Sequence, residues 1–257
     1  MPFPNYPEKY RYEAVLTAAK RLAYRRQQGH VPAVTPPVAV IFCYQPDVLQ
    51  YAARKYWGRR VDGFAGELYL LRRTNRRVGV VGKFGVGAPV TAVLLEDLIA
   101  WGSRQFFLLG LAGGLQPTQK SGDLIIVTRA IRDEGTSWHY LPPESAVSPP
   151  GDLTERMAAR LTEVGKPYTL GTTWTTDAPY RETAPEIAHY RERGVFTVEM
   201  ETAAFFAVAH AHHATAAAGL VIADTLTEHD WQMAPGTRLL QDTLRGCLDT
   251  AVEVLAA

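Results

Sequence analysis

Cysteine is almost absent from this chain: Cys43 and Cys247 are the only two. Two thiols supply neither a disulfide framework nor a cysteine-based metal site. Long apolar runs are missing as well, and nothing approaches the roughly 20 residues that span a bilayer. The first residues, Met1-Pro2-Phe3-Pro4-Asn5-Tyr6-Pro7, contain no apolar signal segment. Excess charge is lacking too: 27 Lys and Arg against 26 Asp and Glu leave a formal net charge of +1. That balance gives no bulk attraction to nucleic acid or to a membrane surface. The basic cluster Arg72-Arg73-Thr74-Asn75-Arg76-Arg77 reads as a solvated turn between two strands. A cytoplasmic protein with no nucleic-acid or membrane partner is expected.

What is present is core-forming material. The 257 residues are 47% hydrophobic, enough to bury a large interior. Strand-like and helix-like stretches alternate along the chain, which argues for a layered α/β fold. Strands are expected at 37–43, 67–73, 77–82, 105–110, 123–131, 168–176, 195–198 and 217–224. Helices are expected at 8–28, 46–56, 89–101, 153–164, 185–193, 198–213 and 237–255. The Pro-rich segment 141–151 reads as a loop. No repeat divides the sequence, so a single domain over 1–257 is expected, with its core at about 38–255 and an N-terminal helix and lead-in at 1–37.

Two places carry chemistry. In Thr197-Val198-Glu199-Met200-Glu201-Thr202, two carboxylates flank a methionine where a buried strand gives way to a small-residue helix. An unpaired buried carboxylate costs several kcal/mol, so packing alone does not put acids there. One of them can cap the helix; two acids around a flexible thioether also suit a polyol with one apolar face. Further on, the apolar run 217–223 delivers Asp224 at a strand end, where open α/β sheets bind ligands. Between them lie two glycine-rich turns, Gly82-Lys83-Phe84-Gly85-Val86-Gly87-Ala88-Pro89 and Gly110-Leu111-Ala112-Gly113-Gly114-Leu115. The first precedes a helix, a setting in which backbone N–H groups hold an anion. It matches neither a dinucleotide fingerprint nor a P-loop.

Those segments, together with Ser121-Gly122-Asp123-Leu124, resemble the nucleoside phosphorylase-I superfamily, with the motifs in order over about residues 38–255. The resemblance implies an α/β/α sandwich around a twisted, partly barrel-like mixed sheet. It also implies a homo-oligomer, a dimer or trimer of dimers, whose sites are shared between neighbours. The chemistry implied is cleavage of an N-glycosidic bond by phosphate or by water. Glu201 then holds the ribose hydroxyls, Met200 packs against the sugar, and Glu199 completes the ribose-binding segment. A carboxylate there stabilises an oxocarbenium-like sugar. Asp224 falls where purine-cleaving members carry the acid that protonates N7 of the leaving base; a strand-end cap is its structural alternative. Lys83, Gly85, Gly87, Leu111 and Ala112 fall in the anion region. Tyr180, Arg181, His139 and Arg238 are base-side candidates.

The chain also departs from the family pattern. Tyr44-Gln45-Pro46-Asp47-Val48 stands in place of a Gly-Asp-Pro-x-Arg phosphate loop, Leu108 replaces a second arginine, and a third falls near Ala65. Losing three guanidinium groups removes most of a bidentate grip on phosphate. The acid with which nucleosidases activate water is missing from 42–48 as well. The Gln-x-Arg pair that reads uracil is absent from Trp174–Thr183. Trp174, inside an apolar strand, is expected in the core. His210 and His213 share a helix face without an acid or Cys partner, so no metal is expected. Three functions follow: phosphorolysis of a purine-type nucleoside in purine salvage, with inorganic phosphate as co-substrate; hydrolysis; or nucleoside binding alone. A retained leaving-group acid argues against the last.

Overall fold

The computed structural model describes residues 4, 6, 8–144, 146–227, 229–233 and 238–257. Among these residues eleven strands form one mixed sheet: β1 (Ala39–Cys43), β2 (Gly58–Val61), β3 (Glu67–Leu71), β4 (Val78–Gly82), β5 (Gln105–Gly114), β6 (Leu124–Asp133), β7 (Ala146–Val147), β8 (Thr169–Thr176), β9 (Val195–Glu199), β10 (Thr215–Leu226) and β11 (Trp231–Met233). Among the described residues, seven α-helices surround it: α1 (Ala18–Gln27), α2 (Pro46–Lys55), α3 (Ala88–Trp101), α4 (Leu153–Glu163), α5 (Ala184–Glu192), α6 (Thr202–Ala211) and α7 (Arg238–Ala256).

The strands run in the order β11-β10-β6-β8-β9-β5-β1-β4-β3-β2, and β10 pairs a second time with β5. That second pairing closes β10, β6, β8, β9 and β5 into a five-stranded barrel, leaving β1 to β4 as an open wing. β1 is buried on both faces. Val40 and Phe42 join a core with α3 and α6, while Ala39, Ile41 and Cys43 join another with α2, α4 and α7. The near-continuous apolar run of β1 is what a parallel strand covered on both faces requires. A smaller cluster beneath α5 contains Trp174, 1% exposed, whose indole donates to Asp133 at 2.9 Å. The sandwich and barrel expected from the resemblance are therefore present. Among the described residues no helix is long and apolar enough to cross a membrane.

Several local expectations are corrected. The helix expected over 8–28 survives only from Ala18, because Thr17 is extended and its hydroxyl accepts the Lys20 N–H at 3.2 Å as an N-cap. Upstream, Glu8 is left-handed at φ 55° and only a 3-10 turn spans Lys9–Arg11. The second glycine-rich turn is no turn. Gly110 to Gly114 continue β5, bonded to β10 and, at Gly113 and Gly114, to β9. Glycine is used there for close approach: a Cβ on Gly113 would stand 3.1 Å from a Val198 methyl and closer still to Leu226. The sequence does not lead one to expect the strands β2, β7 and β11; β2 and β11 are short, largely exposed and at the sheet edges. Thr237, the expected start of the last helix, lies outside the described residues.

Candidate active site

β9 ends at Glu199 and α6 begins at Thr202, so the turn between them carries all three residues of the Glu-Met-Glu segment. Glu199 is the helix cap. Its Oε2 accepts the N–H groups of Glu201 and Thr202 and the Thr202 hydroxyl, each at 2.8 Å, and Oε1 accepts the Thr175 hydroxyl at 2.5 Å. Both of its oxygens are thus held by protein donors. Glu201 makes no cap. Instead its Oε1 accepts the N–H of Gly87 at 2.5 Å, tying the start of α6 to the start of α3. Burial pushes the pKa of both carboxyls up, and the neighbouring Glu199 charge pushes Glu201 further. With four donors against one, the negative charge of the pair rests on Glu199.

The turn before α3 needs its glycines. Gly85 and Gly87 adopt φ of 102° and 99°, a region that favours glycine, and Gly87 is the N-terminal residue that presents its amide to Glu201. The anion cradle expected there is thus already engaged by a carboxylate. Lys83 points elsewhere, into an ion pair with Glu67 at 3.0 Å. Tyr44, at the position of the family's phosphate loop, is half-buried with its ring 5.0 Å from Phe84 and its hydroxyl 2.6 Å from that of Thr91. Burial, with the charges of Glu201 and Glu199, holds the Tyr44 phenol neutral far above its usual pKa.

A cavity of about 610 Å³ opens where the C-terminal ends of β5, β9 and β10 meet. Leu111, Ala112, Glu199 and Met200 line it, and so do both Ala223 and Asp224. Consecutive strand residues point to opposite faces, and here the exception has a cause. Pairing with β5 slips between Ile222 and Asp224, a bulge that turns Asp224 inward. Burial raises the Asp224 pKa, and the Trp231 indole N–H, 2.7 Å from Oδ2, moderates the rise. Glu201 is not among the lining residues, and 8% of its surface remains open.

The other predicted residues divide. Tyr180 stands at the cavity rim, 99% exposed. Arg181, on the same 3-10 turn Pro179–Arg181, is exposed and is not a lining residue. His139 lies against Lys9, with Nζ 3.1 Å from Nδ1, and burial and the Lys9 charge lower its pKa. Arg238 projects from the first turn of α7, 95% exposed and 3.6 Å from Asp242. Neither lines the cavity. Sequence reasoning missed Glu182 and Trp231, which do. Among the described residues, no Arg, Lys or His lines the cavity. Among the described residues no group of three His, Cys, Asp or Glu is placed to hold a metal ion.

Comparison with known proteins agrees with this architecture. A family profile described as the phosphorylase superfamily matches residues 39–256. A DeoD-type purine nucleoside phosphorylase of an Exiguobacterium species is 28% identical over 199 residues, covering 76% of this chain and 81% of the relative. Among solved structures, uridine phosphorylase from Vibrio fischeri superposes with a TM-score of 0.74 at 20% identity, over 86% of this chain and 91% of the other. AMP nucleosidase from Bacteroides thetaiotaomicron gives a TM-score of 0.71 at 22% identity, over 90% and 95%. The barrel, the Glu-Met-Glu turn and the profile match over nearly the whole sheet make this chain a member of the phosphorylase superfamily, the family of nucleoside phosphorylases and nucleosidases.

Proposed function

We propose that the protein cleaves the N-glycosidic bond of a purine-type nucleoside. The observation that carries this reading is the bulge in β10, which aims Asp224 into the cavity lined by Met200. The volume, about 610 Å³, suits a ligand of nucleoside size. A raised pKa lets Asp224 keep its proton until the bond breaks. As the C1′–N9 bond lengthens, its electron pair leaves with the base, Asp224 gives its proton to N7, and positive charge grows on the sugar. Glu201, gripping the ribose diol, opposes that charge. Glu199 positions Glu201 by fixing the start of α6.

Water is the acceptor this environment favours over phosphate. Among the described residues the cavity is lined by Glu182, Glu199 and Asp224 with no cationic side chain, and the Gly87 amide is already bonded to Glu201. A phosphate dianion beside three carboxyls, without a guanidinium, has little to offset its lost hydration. Chromatography of base release from adenosine, guanosine, inosine and uridine, with and without phosphate, tests both points. Purine release that phosphate does not accelerate, with free ribose as co-product, supports hydrolysis. Ribose 1-phosphate as product supports phosphorolysis, and no release from any of them refutes the cleavage reading.

A further inference from the structure

We propose that the protein carries a second small-molecule site, for a nucleoside di- or triphosphate, in a basic cavity at the end of the sheet opposite Asp224. The inference goes beyond the nucleoside-cleaving reading and does not depend on it. The cavity, of about 610 Å³, is lined by Arg59, Arg76 and Arg77 and, among the described residues, by no Asp or Glu.

The basic cluster of the sequence divides at this place. Arg73 packs its guanidinium 4.5 Å from the centre of the Trp57 ring, whereas Arg76 and Arg77 line the cavity. Asn75 and Arg76 carry the chain from β3 into β4 through left-handed angles, φ 52° and 62°, the second at a residue type that ordinarily avoids them. Arg59 reaches the same space from β2, where it pairs with Leu70 of β3, itself a lining residue. Its neighbour Arg60 leaves on the opposite face of the strand, to Asp62 at 3.1 Å and Glu67 at 3.9 Å. Among the described residues no hydrogen-bond or ion-pair partner holds the side chains of Arg59, Arg76 or Arg77.

Three like charges around one concavity raise its potential and draw in an anion. Guanidinium forks grip phosphate oxygens in bidentate fashion, and three of them suit a chain of phosphates better than a single one. Val34, Pro36 and Val38 make an apolar stretch of the same wall, with Val38 40% exposed. A base or sugar covers such a surface, and a bare phosphate chain does not. The volume is that of a small-molecule site. Backbone bonds fix its place: the Arg77 carbonyl accepts the Ala39 N–H at 3.1 Å, and the Val38 carbonyl accepts the Gln105 N–H at 3.2 Å, at the starts of β1 and β5. From Gln105 along β5 to Leu111, which lines the nucleoside cavity, is about 20 Å at about 3.3 Å per residue. Both cavities can therefore be filled at once.

Calorimetric titration of the full chain with ATP, adenosine and inorganic triphosphate in magnesium-free buffer tests the site. ATP should bind the wild type, and Arg59→Ala should weaken it about tenfold, the equivalent of one lost charge-assisted hydrogen bond. Arg76→Ala combined with Arg77→Ala should weaken it about a hundredfold. All three side chains are exposed, so the circular dichroism spectrum should not change. Adenosine affinity should be the same in every variant, and inorganic triphosphate should bind the wild type more weakly than ATP. A wild type that does not bind ATP, ATP affinity that survives both sets of substitutions, or adenosine affinity that falls with it overturns the proposal. Triphosphate bound as tightly as ATP overturns the assignment of a nucleotide. Failure of the cleavage reading appears separately: no base is released, yet ATP affinity still falls with the arginines.

Discussion

The main-chain N–H of Gly87 donates to Oε1 of Glu201 at 2.5 Å, joining two residues 114 positions apart. This bond fixes Glu201 against the start of α3 and depends on a backbone angle that glycine adopts without penalty. A Cβ at Gly87 would meet nothing nearer than Pro89 Cδ at 3.9 Å, so space is not the constraint.

Gly87→Ala should accordingly act through conformation alone. The left-handed angle, φ 99°, costs a substituted residue about 1–3 kcal/mol. Chemical denaturation should register a loss of that size. Base release should fall further than stability explains, because the amide swings away from Glu201. Activity retained at a lowered melting temperature would separate the bond from catalysis.

Nucleoside binding should release protons near neutral pH. Burial and the Glu199 charge raise the Glu201 pKa in the free protein. Two ribose hydroxyls donating to its carboxylate favour the ionised form and pull the value back down. Calorimetric titration in buffers of different ionisation enthalpy measures the protons released, and Glu201→Gln should abolish the release. Binding that takes up protons would contradict the assignment.

Trp231→Phe should move the alkaline limb of the pH–rate profile upward. The indole N–H bond to Asp224 Oδ2 favours the charged carboxylate and so lowers a pKa that burial raises. Without the donor, Asp224 holds its proton to higher pH, and a general acid stays active to higher pH. Trp231 is 56% exposed, so the fold should be little affected. A limb that stays in place or moves down would remove Asp224 as the acid.

Two helices on one face of the sheet, α2 and α7, are also clamped together outside the cavity lining. Asp249 on α7 accepts from Tyr51 and Tyr56 and from Lys55 Nζ, each at 2.8 Å. Asp249→Ala leaves two hydroxyls without their acceptor. It should destabilise the protein by about 1–3 kcal/mol in denaturation experiments, leaving the rate of base release per folded molecule unchanged.

Much of this arrangement is legible in the sequence because it follows from periodicity. The apolar run of β1, the Pro at the start of α3 and the acids before α6 each reflect a local physical requirement. What escapes is set by distant partners. The run Gly110–Gly114 has turn composition but strand geometry, because its glycines clear Leu226, Val198 and Ile222 on neighbouring strands. The bulge before Asp224 is a difference of register between β10 and β5 and leaves no mark in either strand alone. Glu182 sits immediately before a capping threonine, where an acid is ordinarily read as complementing the helix dipole. Only the cavity sets it apart. The division of labour between Glu199 and Glu201 is equally invisible until their donors are known.

The most direct single measurement is nucleoside turnover by Asp224→Asn, set beside nucleoside binding by the same protein. Loss of the leaving-group acid should slow base release by about 10²–10⁴-fold while the dissociation constant stays within a few-fold of the wild type. Release at the wild-type rate would contradict the role of Asp224 and, with it, the catalytic reading of the cavity.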